Sequence, residues 1–294
     1  MIEFIPQLII NGLVLGSIYV LVALGLTMVF GIVDVVNFAH GEFYMLGAFV
    51  AFWVVDSMGV AYLPAILITA VVTAGFGLFT EKIIIHPLRS RNPHPINYVL
   101  VTVGLSTFLL YGVNALFGPD LRQIPSPYMK QIINIGNVYI TTQRLLVFLV
   151  TVVIVGFLAY FVKYTSLGNQ MRATAQNFQA ARIVGVHTDR VFTLTFMIGA
   201  TLAGIAGAMV GAMFVTEPTM GIHVIVKAFI VVIAGGMGSI AGSIVAGLGL
   251  GLVETLAGFL MPAEFLDIIG FSIMIIVLLT KPTGIFGTKG GSRA

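Results

Sequence analysis

The sequence predicts an all-α, polytopic membrane protein of about eight transmembrane helices. Three observations predict it. Of the 294 residues, 59% are hydrophobic and only 9% are charged, where a soluble domain carries about 25% charged residues. The apolar residues gather in runs near the roughly 20 residues needed to cross a bilayer. Two of those runs are broken by small or polar residues, near 34–42 and 234–239, and then resume, the pattern of a broken or re-entrant segment.

In chain order, Leu8–Val33, Val60–Phe79, Ile96–Phe117, Leu145–Val162, Val191–Val215 and Ile240–Leu260 have spanning length or nearly so. Phe43–Val55 and Phe265–Leu279 are shorter spans, and Val224–Ala234 is expected to dip in and join the next helix through Gly235-Gly236-Met237-Gly238. The N-terminal stretch has Glu3 and no basic residue before the first run, so that run reads as a retained span and not a secretory signal. Pro119, Pro125 and Pro127 disfavour a continuous helix in the loop from Gly118 to Arg144, which leaves room for a short strand or helix. No shift in composition marks a second domain, so residues 1–294 form one membrane domain, with a cytoplasmic loop at 165–186.

Lys and Arg set the orientation, because cytoplasmic loops are enriched in them. Lys82, Arg89, Arg91, Lys163, Arg172, Arg182, Arg190, Lys281, Lys289 and Arg293 fall on one side, against Arg122, Lys130, Arg144 and Lys227 on the other. The larger group is expected in the cytoplasm, with the N-terminus outside and the C-terminus inside.

The absences narrow the function. There is no cysteine, and the five histidines are scattered, so no metal site and no catalytic constellation is expected. No phosphate-binding Gly-x-x-x-x-Gly-Lys-Ser/Thr loop occurs, and Gly236–Gly242 lacks the spacing and setting of a dinucleotide loop. Any use of ATP must therefore lie in another chain. A net charge of +3 gives no reason to expect nucleic acid.

Three constellations remain. Asn37, His40, Gly41 and Glu42 in the first break, and Gly235, Gly236, Gly238 and Ser239 in the second, are candidates for a translocation pathway. Ionisable residues at membrane depth are costly, and broken helices expose backbone groups where transport paths are built. A surface turn between hairpinned spans is the alternative. The loop at 165–186 carries Met171, Ala175, Phe178 and Ala181 on one helical face and Arg172, Gln176 and Gln179 on another, with Ser166 as a candidate cap and Gly185 as a stop. A helix this short needs a partner, either the lipid surface or a groove on a cytoplasmic protein, and its small apolar face favours the groove. Gly199, Ala203, Gly207 and Gly211, four apart, form a ladder suited to close helix packing. Glu254 lies inside an apolar run and reads equally as a structural group or as a substrate contact.

Several of these stretches resemble one family. Gly16–Tyr19, Ala23–Thr27, Asn37–Glu42 and Gly47-Ala48 are similar to the LivH-type permeases of branched-chain amino acid ABC importers. So are Gly168, Arg172-Ala173, Ala181 and Gly185, the run Ala234–Ser239, and the tail Lys281–Gly287. The likeness covers nearly the whole chain, with its motifs in the same order. It implies a multi-pass subunit of a bacterial inner membrane, paired with a second, LivM-like permease and two cytoplasmic ABC ATPases that bind the ATP and magnesium. A periplasmic amino-acid-binding protein would deliver substrate from outside. It further implies that Gly168, Arg172, Ala173, Phe178, Ala181 and Gly185 belong to a coupling helix docked on an ATPase, and that the two breaks line or brace the path. A permease for urea or short amides has a similar sequence, and an ATP-independent channel or secondary transporter is the alternative of another class.

Overall fold

The computed structural model describes residues 4–91, 94–136 and 138–287; Glu3, Lys289 and Arg293 lie outside them. In chain order the helices are α1 (Ile5–Val33), α2 (His40–Asp56), α3 (Tyr62–Phe79), α4 (His86–Arg89), α5 (Pro95–Phe117) and α6 (Thr142–Tyr164). They continue as α7 (Ser166–Gln176), α8 (Phe178–Ile183), α9 (Thr188–Met213), α10 (Met220–Gly235), α11 (Ile240–Leu260) and α12 (Glu264–Thr280). Six helical stretches are long and apolar enough to cross a membrane: α1, α3 through α4, α5, α6, α9 and α11. Helices α2, α10 and α12 are apolar too but run only 16 or 17 residues. The chain is an all-α, multi-pass membrane protein.

Helices α1 and α9 form the centre. Of their apolar stretches 78% is buried, against 11% for α5 and 17% for α6, whose faces are left for lipid or another chain. Glycine makes that centre possible. A Cβ on Gly16 would stand 2.8 Å from the Leu248 backbone in α11, and one on Gly25 2.7 Å from the Gly199 carbonyl in α9. Neither backbone could approach so closely past a larger residue.

Several expectations need correction. The third span does not stop at Phe79. It continues through a π-helical turn, Thr80–Ile85, into α4, so Lys82 and Arg89 lie in helix and not in a turn. No glycine or proline interrupts Thr80–Ile85, and Pro87 follows just after the π turn. The dipping segment begins earlier than expected, as a helix from Met220 to Gly235, with Lys227 near its middle. The loop from Gly118 to Arg144 matches its expectation of a short strand or helix, with an antiparallel hairpin, β1 (Ile132–Ile135) with β2 (Val138–Thr141), and a 3₁₀ turn at Pro127–Met129. The loop at 165–186 folds as two helices, not one. Thr165, not Ser166, caps the first by accepting from the Gly168 N–H, and Asn177, extended at φ −157°, ends it and caps the second by accepting from the Ala180 N–H.

Candidate functional site

The first break is built by local side-chain chemistry. Asp34 ends α1 in the left-handed region, φ 58°, which short polar side chains tolerate. The chain then turns back into the bundle, and the Asn37 side-chain oxygen accepts from the Ala39 N–H to set the turn that starts α2. His40, Gly41 and Glu42 form the first turn of α2, with the Glu42 carboxylate near the positive end of the helix. All three are buried, as is Asn37. His40 Nε2 lies 3.0 Å from the Val22 carbonyl, which can only accept, so the proton sits on Nε2. Ser106 on α5 donates to Glu42 Oε1 at 2.9 Å.

What is left over is more informative. Asn37 Nδ2, His40 Nδ1 and Glu42 Oε2 are buried and make no hydrogen bond within the described residues. A buried polar atom without a partner costs about 1–3 kcal/mol, and here three gather within six residues. No packing argument requires His and Glu at this place. Gly41 and Gly221, the second residue of α10, face one another so closely that a Cβ on either would collide with the other's backbone.

The second break lies at the other end of α10. Gly235 is its last residue, packed against Gly242, and Gly236 and Gly238 take φ of 107° and 81°, which glycine adopts freely. Ser239 caps α11 by accepting from the Gly242 N–H. The tail closes over this turn, with the Ile285 and Phe286 amides donating to the carbonyls of Ala234 and Gly235 at 2.9 and 3.0 Å. The two breaks therefore bracket α10. Phe229 in its middle also meets Phe38 of the first break at 5.1 Å between rings.

The residues of the loop at 165–186 divide between two roles. Gly168 lets the first turn of α7 sit on the Phe161 and Val162 carbonyls, and Ala173 accepts the Asn177 N–H that ends α7. Met171 and Ala181 are buried against this chain's own spans, so the apolar stripe expected to meet a partner is mostly satisfied internally. Arg172 is exposed and borders a small cavity together with Gly31 and Gly238, beside the second break. What the pair of helices offers outward is Phe178, Ile183 and Val184, with Ile183 86% exposed. Gly185, at φ 87°, reverses the chain after α8.

In the ladder, Gly199 faces Gly25 of α1, Gly207 the Tyr44 carbonyl of α2, and Gly211 Ile124 and Thr216 of the loops after α5 and α9, while Ala203 is fully buried. One stripe thus serves three neighbours.

Two polar clusters join residues that no sequence spacing brings together, and the first gives Glu254 the structural role that its place in an apolar run left open. Lys227 Nζ lies 2.5 Å from Glu254 Oε1 and 2.6 Å from Asp267 Oδ1, and the Tyr19 hydroxyl donates to Glu254 Oε2 at 2.6 Å, tying α1, α10, α11 and α12 together. At the opposite end, Glu81 in the π turn accepts from Thr193 at 2.8 Å and pairs with Arg89, which also meets Asp189 at 2.9 Å. The Arg89 guanidinium lies 4.1 Å over the Phe192 ring, whose other neighbour is Phe178 of α8 at 5.9 Å. A π turn is rare and often marks a functional position. Here it connects α8 to α3. Among the described residues no three His, Asp or Glu side chains gather where a metal could be held.

The family model described as "Branched-chain amino acid transport system / permease component" matches residues 8–278. The chain belongs to this family. The permease is 35% identical to the high-affinity branched-chain amino acid transport system permease protein LivH of Escherichia coli K12, over 96% of its own length and 95% of that protein. It is 33% identical to BraD, the corresponding high-affinity permease of Pseudomonas aeruginosa, over 96% and 95%. A probable branched-chain permease LivH of Methanocaldococcus jannaschii is 27% identical over 96% and 92%. No solved structure matches the permease. It is therefore a membrane transport subunit, and the buried polar atoms at 37–42 lie in a protein whose relatives move a solute.

Proposed function

We propose that the permease forms half of the inward path of an ATP-driven importer that takes up branched-chain or related hydrophobic amino acids. Full-length identity to permeases named for that transport carries the reading. Its partners are a second, LivM-like permease, two cytoplasmic ABC ATPases that hold the ATP and magnesium, and a periplasmic amino-acid-binding protein. The permease itself carries no cofactor. It sits in the bacterial inner membrane with its N-terminus outside and its C-terminus in the cytoplasm.

Asn37, His40, Gly41 and Glu42 border the path on this reading, supported by their unpartnered buried atoms. Gly235, Gly236, Gly238 and Ser239 brace it from below. Helices α7 and α8 are the coupling element: Gly168, Met171 and Ala181 anchor it to the bundle, and Phe178, Ile183 and Val184 enter the ATPase groove. ATP-driven closure of the ATPases displaces α8, and the displacement reaches the spans through Phe178, Phe192 and the Arg89–Glu81 pair. Coupling requires that each state be favoured by different contacts. The Glu81–Arg89 pair at the π turn supplies a contact that a movement of α8 would change.

Arg172→Glu tests the coupling assignment. It reverses charge where α7 adjoins the second break, on an exposed side chain. Membrane insertion and assembly are expected to stay normal, with ATP hydrolysis retained and substrate uptake reduced at least tenfold. Uptake at the unmodified level would refute the assignment.

A further inference from the structure

Between the outer ends of α9 and α10 and the flank of α1, a cleft of about 260 Å³ opens at the level of Tyr19. One wall is apolar, supplied by Leu15 and Ile18 of α1 together with Val210 and Phe214. The polar groups on the other walls are few and differ in their state. Lys227 is held by two carboxylates, so its charge is already matched. Glu217 is half-buried, and its carboxylate has neither a hydrogen bond nor an ion pair among the described residues. Tyr44 is 5% exposed, and its hydroxyl makes no hydrogen bond among the described residues. The formal charges of Lys227, Glu254 and Asp267 sum to −1, and Glu217 adds a further negative charge on the wall of the cleft. Asp267 is 62% exposed at its side chain.

A cleft with an excess of negative charge disfavours a ligand whose net charge is negative. It attracts a ligand that brings a cation and an apolar body together. We propose that this cleft is a transient binding site for an apolar α-amino acid inside the permease. The Glu217 carboxylate takes the ammonium group, the Tyr44 hydroxyl donates to the carboxylate, and the side chain lies against Leu15, Ile18, Val210 and Phe214. Small-molecule sites are typically apolar clefts with a few such placed polar groups. The proposal rests on the amino-acid reading above and adds a place where the substrate touches this chain.

The test uses the full complex purified through this chain and a diazirine analogue of leucine as a photo-cross-linking probe, with labelled peptides mapped by mass spectrometry. Labels are expected on the peptides holding Leu15–Tyr19 and Val210–Val224. Leucine should compete, and the 2-hydroxy acid of the same skeleton, which lacks the ammonium, should not. Glu217→Gln, which keeps size and shape, should cut labelling at least tenfold, and Tyr44→Phe several-fold, with assembly and ATP hydrolysis intact. Equal labelling in Glu217→Gln, labels only elsewhere, or none despite leucine uptake by the same complex, would overturn the proposal and leave the importer reading standing. A complex that takes up no amino acid at all would overturn that reading first.

Discussion

Lys227→Met is expected to remove most of the folded permease from the membrane, not merely to slow transport. Lys227 is the only cation within reach of Glu254 and Asp267 among the described residues, at 2.5 and 2.6 Å. Glu254 is 3% exposed and keeps one other partner, the Tyr19 hydroxyl. Removing one member of a buried pair costs about 3–5 kcal/mol, because the other is left as an uncompensated charge. That is a large share of the roughly 5–15 kcal/mol by which folded proteins are stable. Methionine matches the lysine stem in length, so the loss isolates the charge and not a cavity. The double variant Lys227→Met/Glu254→Gln should recover much of the loss, since the amide oxygen still accepts from Tyr19. Abundance in the membrane and the melting temperature in detergent check both. Equal abundance and melting for Lys227→Met and the unmodified chain would show that the cluster does not hold the four helices together.

Gly207→Val is expected to be as damaging for a steric reason. A Cβ there would overlap the Tyr44 carbonyl of α2, closer than any real side chain sits. Overpacking ordinarily costs about 1–3 kcal/mol, when side chains can shift to absorb it. Here the obstacle is backbone. Helix α9 is held on its other sides by α1 and α3, so moving α2 away breaks the Gly47–Gly204 contact as well. Gly104→Ala and Gly249→Ala are the controls, because a Cβ at either meets nothing within 4 Å. Both should leave assembly and melting unchanged. Tolerance of valine at Gly207 would mean that α2 and α9 are not packed as described.

Apolar run length placed the long spans well, because burial in lipid demands length and little else. The breaks were legible for the same reason: Asn37, His40 and Glu42 are conspicuous where every neighbour is apolar. What run length could not report is which charges meet. Lys227 falls inside the short dipping segment Val224–Ala234 and there marks only a side of the membrane. Its partners lie 27 and 40 positions further on, and no spacing rule joins them. The π turn left no trace either, since Thr80–Ile85 contains no residue that interrupts a helix. The division of the cytoplasmic loop could have been read: Thr165 and Asn177 each stand three residues ahead of an N–H they cap, the ordinary signature of a helix start. The direction of its apolar face could not, because Met171 faces inward only on account of where α1 and α6 lie.

The central claim is that this chain moves amino acids only as part of an ATP-driven assembly. The most direct measurement isolates the tagged chain gently from its own membrane, identifies what accompanies it, and reconstitutes that assembly for leucine uptake with the binding protein outside. The account predicts that a second permease and two ATPases accompany it, and that leucine accumulates only when ATP is supplied to the ATPases. Recovery of this chain alone, carrying leucine across the bilayer without ATP, would contradict the account and make it a channel or secondary transporter.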